Sequence, residues 1–164
     1  MEELRLLFEE ILEEYLRDLQ IRPEILRESM QYSLKIGGKR LRPVLMFVTA
    51  QMLGGKIQDV SNFALAIEMI HTYSLIHDDL PAMDNDDYRR GKPSNHRQFG
   101  EGQAILAGDA LLNEAYGLCF EECNKGKSYR MAASVLCKNA GAFGVVAGQA
   151  ADLFWQGVVA AGET

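Results

Sequence analysis

The chain alternates amphipathic segments with short interruptions that contain glycine or proline. In the first segment, apolar side chains recur every three or four residues while glutamate and arginine take the opposite face, which is the period of a helix with one buried side. The same signal predicts further helices at about residues 23–36, 43–53, 61–79, 102–123 and 129–155. No segment has the two-residue period of a strand, so the sequence predicts an all-α fold.

Glycine and proline mark where these predicted helices begin and end. The pairs Gly37-Gly38 and Gly54-Gly55 free the backbone to turn, Pro43 suits the first turn of a helix, and Ser61 is placed to cap the fourth helix. The polar segment from residue 84 to about residue 100 has no helical period. We expect a long ordered loop there, of the kind that is usually functional.

The predicted helix at residues 102–123 carries a face of small side chains, which permits close approach of a neighbouring helix. That face comprises Ala104, Ala107, Gly108, Ala110 and Leu111. The chain has 164 residues and 48% hydrophobic content, the length of one domain with enough apolar side chains to fill a core. We therefore expect one all-α domain over residues 1–164.

Composition narrows the class of protein. A formal net charge of −6 argues against a nucleic-acid binder, which needs a basic face, so local positive charge must hold any anionic ligand. The cysteines lack a Cys-x-x-Cys pair, so no disulfide framework or zinc site is indicated. The acidic N-terminus and the lack of about 20 consecutive apolar residues predict a cytoplasmic protein without a membrane span.

Five aspartates fall within ten residues, directly after the apolar fourth helix. They are Asp78, Asp79, Asp84, Asp86 and Asp87. Two unit charges about 4 Å apart repel by roughly 4 kcal/mol at an effective dielectric near 20, so the cluster needs either water or a cation. Carboxylates suit Mg²⁺ bridging to substrate phosphates, and a solvated acidic turn is the alternative. A calcium loop counted from Asp84 fails, because Arg89 occupies its glycine position and Asn95 its glutamate position.

Two basic segments accompany the aspartates. Residues 37–43 read Gly-Gly-Lys-Arg-Leu-Arg-Pro and lead into a helix whose free N–H groups favour anions. Residues 89–92 read Arg-Arg-Gly-Lys. A solvated basic turn is the alternative for each segment, but alternating acidic and basic clusters in an acidic chain indicate a polyanion held by metal on one side and guanidinium groups on the other.

Three further polar residues lie in apolar helical stretches. His71 precedes Asp78 by seven residues, or two turns, so the two side chains share a helix face roughly 10 Å apart. His71 could reach a second phosphate, and a buried core histidine is the alternative. Gln149 and Asp152, three residues apart, form a polar pair on the last predicted helix.

These motifs resemble those of the trans-isoprenyl diphosphate synthases, also called polyprenyl synthetases, and most closely the bacterial members that make farnesyl diphosphate. The resemblance rests on residues 37–43, 71–87 and 89–93, and on the Gly-Gln-Ala-Ala-Asp-Leu segment at residues 148–153. It covers the chain from about residue 30 to about residue 153. It implies a bundle of helices around a central apolar cavity, of which this chain resembles the N-terminal half.

The resemblance implies a role for each charged site residue. Asp78 and Asp84, supported by Asp79, would bind Mg²⁺ that bridges an allylic diphosphate, either dimethylallyl or geranyl diphosphate. Arg89 would hold the same diphosphate. The other substrate, isopentenyl diphosphate, would be held by Lys39, Arg42, His71 and Arg90.

The resemblance also implies how product length is set. Gln149 and Asp152 would complete the wall of the allylic site. Tyr73, five residues before the first aspartate and with Ser74 beside it, would form the floor that stops elongation. Together with the insertion containing Pro81, the position of Tyr73 implies that the product is farnesyl diphosphate. The reaction would proceed by Mg²⁺-assisted ionisation of the allylic diphosphate, attack by the isopentenyl double bond and loss of a proton.

The resemblance implies a homodimer, and it also shows a departure from the family. The second aspartate-rich motif and the Lys-Thr pair of the family have no counterpart in residues 1–164. We therefore expect little or no turnover by the chain alone. The chain would be either a fragment of a synthase or a protein that works with another chain. A truncated, non-catalytic partner subunit is the alternative, but such a subunit would not need the metal-binding aspartates that this chain keeps. A terpene cyclase is a further alternative, but it would not need Lys39 and Arg42 to hold a second diphosphate.

Overall fold

Helices form most of the chain in the computed structural model, which describes residues 1–160, with side chains through residue 157. The helices are α1 (Glu2–Asp18), α2 (Glu24–Lys35), α3 (Leu41–Met52), α4 (Ser61–Asp78), α5 (Asn95–Phe99), α6 (Glu101–Glu122), α7 (Lys127–Ala140) and α8 (Val145–Ala160). Short 3₁₀ turns lie at Ile57–Asp59 and Cys123–Lys125. The prediction of an all-α fold is confirmed.

The chain divides into two compact units, Met1–Glu121 and a second unit that begins at Glu122. In the first unit α1 to α4 pack around apolar side chains that are almost wholly buried: Phe8, Leu12, Leu16, Met30, Leu34, Phe47 and Met69. Full burial of such a side chain stabilises the fold by roughly 1.5–3 kcal/mol. The single domain over residues 1–164 stays a prediction, and residues 161–164 lie outside the described residues.

Helix α4 lies at the centre of the first unit, and α6 packs against it. Most residues of α4 from Phe63 to Ile76 are buried, and on α6 Ala104, Ala107 and Leu111 are fully buried. The predicted small-residue face is therefore confirmed as a packing face. It positions the C-terminal end of α4, where the aspartates begin.

The segment after the aspartates contains strands that we did not predict. Strands β1 (Tyr88–Arg89) and β2 (Lys92–Pro93) pair antiparallel, with Arg89 opposite Lys92. Arg90 and Gly91 form the turn with φ angles of 54° and 78°, the pair of positive angles that a type I′ turn requires. The prediction of a loop without strands was wrong, because two-residue strands are too short to show a period.

Two predictions about helix ends were also wrong. The last predicted helix breaks between Ala140 and Val145 into α7 and α8. The break requires glycine at residue 144, because a Cβ there would lie 1.9 Å from the carbonyl oxygen of Asn139. Ser61 does not cap α4: its hydroxyl donates to the carbonyl of Ile57 at 2.9 Å.

One segment of the described chain, Lys127–Gly157, is long and apolar enough to cross a membrane by length and composition. The break after Ala140 divides it into helices of 14 and 16 residues. At 1.5 Å per residue these reach roughly 21 and 24 Å, which is less than the ~30 Å hydrocarbon core of a bilayer. The lack of a membrane span stays a prediction.

Candidate functional site

The chain folds back on itself at the end of α4 and brings two aspartates together. The amide of Asp84 donates to the carbonyl of Asp78 at 2.9 Å, and the amide of Asp86 donates to the carbonyl of Asp79 at 3.1 Å. Asn85, between the two donors, adopts a left-handed φ of 56°, which asparagine tolerates better than most residues. The turn thus places Asp78 and Asp84 next to each other at the surface.

Asp79 faces inward and holds Arg89. Its side chain is 3% exposed, its Oδ1 accepts a hydrogen bond from Arg89 Nε at 3.0 Å, and Arg89 Nη2 donates to the same oxygen. Burial raises the pKa of the Asp79 carboxyl above its ordinary value, although the hydrogen bonds from Arg89 act to lower it. Arg89 therefore stands at a fixed position beside the aspartate turn.

Arg40 is a buried anchor, and sequence reasoning did not separate it from its basic neighbours. Its guanidinium donates to Glu9 at 2.9 Å, to Glu68 at 2.8 Å and to the carbonyl of Leu34 at 2.6 Å. The signal that could have identified it is Glu68, the one acidic residue in the apolar stretch 63–76. Such a residue needs a buried cationic partner.

Lys39 and Arg42, on either side of this anchor, are exposed. Arg40 adopts a left-handed φ of 47° immediately before α3 begins at Leu41. Because the chain turns inward at Arg40, its two cationic neighbours remain in solvent at the start of a helix, where free N–H groups favour an anion.

Cations from both basic segments lie near His71. Burial lowers the pKa of His71, and the positive charges of Arg42, Arg90 and Arg89 lower it further, against the opposing effect of Glu68. His71 and the arginines predicted to hold the two diphosphates therefore lie within electrostatic range of one another.

Arg90 packs over Gly38 of the other basic segment. A Cβ on Gly38 would lie 2.3 Å from Arg90 Nη1, so the guanidinium occupies the space that a side chain at residue 38 would take and would have to shift to admit one. Desolvation, with the charges of Arg40, Arg89 and Arg42, lowers the pKa of Arg90 despite the nearby Glu68. Mutually repelling cations held together in this way are typical of an anion site. A small pocket beside them is lined by Ser33, Ile36, Thr72, Leu75, Ile76, Asp79, Arg89 and Arg90.

Tyr73 lies one and a half turns before Asp78 on α4 and is 6% exposed. Burial raises the pKa of its hydroxyl. Ser74, its predicted companion, donates its hydroxyl to the carbonyl of His71 at 2.9 Å. Tyr73 thus presents a ring held inside the first unit, whereas Ser74 is bonded to its own helix.

Gln149 and Asp152 lie on α8, in the second unit. Asp152 accepts a hydrogen bond from Gln156 Nε2 at 3.0 Å. Their predicted place in the wall of the allylic site stays a prediction.

Within the described residues, no group of three or more His, Cys, Asp or Glu side chains is gathered as a ready-made metal site. Mg²⁺ that bridges substrate phosphates needs only one or two protein carboxylates and keeps several waters. Asp78 and Asp84, joined through a 2.9 Å backbone hydrogen bond, fit that requirement. Asp79 is instead engaged by Arg89.

Solved structures and a family model place this fold. A geranyltransferase from Legionella pneumophila is 37% identical with a TM-score of 0.87, covering 93% of this chain and 54% of that protein. A geranylgeranyl pyrophosphate synthetase from the archaeon Geoglobus acetivorans is 37% identical with a TM-score of 0.77, over 85% of this chain and 44% of that one. The fold is that of the isoprenoid synthases. The polyprenyl synthetase family model matches residues 23–162, and the chain belongs to that family.

Curated relatives make different products. The farnesyl diphosphate synthase of Geobacillus stearothermophilus is 53% identical over 142 residues, which is 82% of this chain and 46% of the relative. The chloroplastic geranylgeranyl pyrophosphate synthase of Capsicum annuum is 48% identical over 133 residues, which is 80% of this chain and 36% of the relative. This chain spans less than half the length of either relative.

Proposed function

We propose that this chain provides the diphosphate-binding part of a prenyltransferase that joins an allylic diphosphate to isopentenyl diphosphate. The observation that carries the proposal is the set of cations around His71, in which Arg42, Arg89 and Arg90 lower its pKa together with burial. Such a set is unfavourable by itself, and a diphosphate would neutralise it.

The allylic diphosphate would bind at the aspartate turn. Asp78 and Asp84 would hold Mg²⁺, which supplies positive charge to the leaving diphosphate. Arg89, fixed by Asp79, would donate hydrogen bonds to the same group as negative charge builds on it. The hydrogen bonds between Arg89 and Asp79 keep the guanidinium in position before the substrate arrives.

Isopentenyl diphosphate would bind beside it. Lys39 and Arg42 stand in solvent at the start of α3, Arg90 reaches over Gly38, and His71 completes the set. His71 is neutral near pH 7 because its pKa is lowered, so it would donate one hydrogen bond, and an anion beside it would favour its protonated form.

The proposed product is farnesyl diphosphate, made from dimethylallyl or geranyl diphosphate as the primer. The relatives support a prenyl product but include both farnesyl and geranylgeranyl synthases, so the length depends on residues such as Tyr73. In the active prenyltransferase of which this chain would provide a part, replacement of Tyr73 by alanine is expected to lengthen the product, as measured by chromatography of the chains formed from labelled isopentenyl diphosphate. An unchanged product would rule out Tyr73 as the floor.

The setting of the proposed enzyme is cytoplasmic, and the proposed assembly is a homodimer. Large apolar side chains are exposed in the second unit, and exposed apolar surface favours association. They are Met131, Val135, Phe143, Phe154 and Trp155.

The test is a calorimetric titration of the chain with isopentenyl diphosphate, and separately with Mg²⁺ and pyrophosphate. Loss of a hydrogen bond to a charged group costs about 1.5–3 kcal/mol, so Arg42→Gln and Arg90→Gln should each weaken isopentenyl diphosphate binding by roughly 10- to 150-fold. Arg27→Gln, on α2 and paired with Glu24, is the matched control and should bind as the unsubstituted chain does.

Three outcomes decide the proposal. Equal binding by Arg90→Gln and the control would refute the isopentenyl site. Asp84→Asn should remove the Mg²⁺ dependence of pyrophosphate binding, and its retention would refute the metal role. Product formed by this chain with no other polypeptide would contradict the alternative of a non-catalytic partner.

A further inference from the structure

His77, in the last turn of α4, lies in the contact between α4 and α6. Its Nε2 lies 3.1 Å from the carbonyl oxygen of Ile105 and 3.9 Å from a carboxylate oxygen of Asp109. Its ring meets the ring of Tyr73 edge-on, with centroids 5.7 Å apart and planes 83° apart. One side chain thus connects α6 to the ring that we propose as the floor of the substrate cavity.

Gly108 provides the space that His77 occupies. A Cβ at this position would lie 2.2 Å from His77 Nε2 and 2.5 Å from its Cδ2. Any larger residue would displace the imidazole. Gly117 on the same helix has open space in place of a Cβ contact, so glycine is required by packing only at the first of these positions.

The ring of Tyr73 depends on this packing. Tyr73 is 6% exposed, so the side chains that pack around the ring hold it in place. An edge-on aromatic pair is more favourable than its buried area alone would give. His77 is bonded to the backbone of Ile105, which makes it the fixed member of the pair.

We propose that His77, seated on Gly108, is a positioning residue that holds the Tyr73 ring and thereby limits the length of the prenyl tail. This inference rests on the proposed function, since it assumes that the tail runs from Asp78 toward Tyr73. We assign His77 no contact with the reacting atoms or the diphosphates. Its effect is on the discrimination between shorter and longer tails.

The first experiment tests the contact by thermal denaturation of the chain. His77→Gln keeps a donor near the Ile105 carbonyl and removes the ring, whereas Tyr73→Leu removes the partner. The shifts in melting temperature should be non-additive in the double variant, because the second change has no edge-on contact left to remove. Additive shifts would overturn the proposal, whether or not the chain binds any prenyl compound.

The second experiment compares the affinities for geranyl and farnesyl diphosphate in the presence of Mg²⁺. A floor favours the shorter tail, and loss of one aromatic contact should reduce that preference by roughly 2- to 12-fold in His77→Gln. Gly108→Ala should act in the same direction, and Gly117→Ala should leave the preference unchanged. If Gly108→Ala does not fold, His77→Gln carries the test.

The outcomes separate this inference from the proposed function. If Tyr73→Leu removes the preference and His77→Gln keeps it, Tyr73 is the floor and the role of His77 is refuted. If the unsubstituted chain binds neither diphosphate, the proposed function fails and the role in tail length fails with it. A parallel loss of preference in His77→Gln and Gly108→Ala, but not in Gly117→Ala, supports the inference.

Discussion

Replacement of Arg40 by methionine should destabilise the first unit and disorder the basic segment of the site. Arg40 and Glu68 are 1% and 4% exposed, whereas Glu9 is 29% exposed. The substitution leaves the Glu68 carboxylate buried without its cation, and breaking a buried pair in this way costs about 3–5 kcal/mol. At roughly 2–4 °C per kcal/mol for a chain of this size, the melting temperature should fall by roughly 6–20 °C.

The assay is thermal unfolding followed by far-ultraviolet circular dichroism, with two comparison variants. Arg27→Met removes a cation that pairs with Glu24 at 2.5 Å on α2, away from the Arg40 cluster, and it should melt within about 2 °C of the unsubstituted chain. The double variant Arg40→Met with Glu68→Met leaves no buried charge, so it should be more stable than Arg40→Met alone. A double variant no more stable than the single one would refute the reasoning.

Two further substitutions test the geometry around His71. Gly38→Ala should weaken isopentenyl diphosphate binding by roughly tenfold or more, because the added Cβ displaces the Arg90 guanidinium. Gly37→Ala is the control, since Gly37 also has a positive φ but has open space around it. Equal losses of affinity in the two variants would contradict the explanation. Burial and neighbouring arginines lower the pKa of His71 in the folded protein. The neutral imidazole therefore contributes its full share of the free energy of unfolding above pH ~6.5, and that share is lost as the pH falls through the folded pKa. His71→Gln should remove this effect, so that stability falls less steeply on acidification. Denaturant titrations between pH 5 and 8 measure that slope, and an unchanged slope would contradict it.

The sequence predicted most helices because burial in this fold follows the helical period. Phe8, Leu12 and Leu16 lie on one face of α1 and are all buried. Helix α4 is buried on most sides and was recognised by its apolar run. The break after Ala140 was missed, because glycines inside an apolar helix are common and the sequence does not show that a side chain at residue 144 would collide with the carbonyl of Asn139.

The sequence proposed candidate site residues but not the contacts that they make. Motifs identified the aspartates and the cations, but three basic residues in a row do not reveal which one points inward. Arg40 is distinguished by Glu68, which lies 28 positions later in the sequence. In the same way, Asp79 was grouped with the metal ligands, whereas the structure pairs it with Arg89. Such pairings arise from tertiary packing, which local spacing does not encode.

Backbone conformation links the buried anchor to the proposed chemistry. The described residues other than glycine with a positive φ are Arg40, Asn85 and Arg90, at 47°, 56° and 54°, and each lies in a turn that carries site residues. A left-handed conformation costs roughly 1–2 kcal/mol for an ordinary residue, so each must be held by its surroundings. Arg40 is held by its two glutamates, Asn85 by the turn that Asp84 closes onto Asp78, and Arg90 by the hairpin.

The contacts that hold these three residues in place should also strengthen diphosphate binding. A diphosphate that meets cations already held in place loses less free energy to ordering than one that must arrange flexible loops. Arg40 thus stabilises the fold and also fixes where Lys39 and Arg42 stand. For that reason its substitution should weaken isopentenyl diphosphate binding even at temperatures where the variant is fully folded, whereas a purely structural anchor would leave the affinity of the folded protein unchanged.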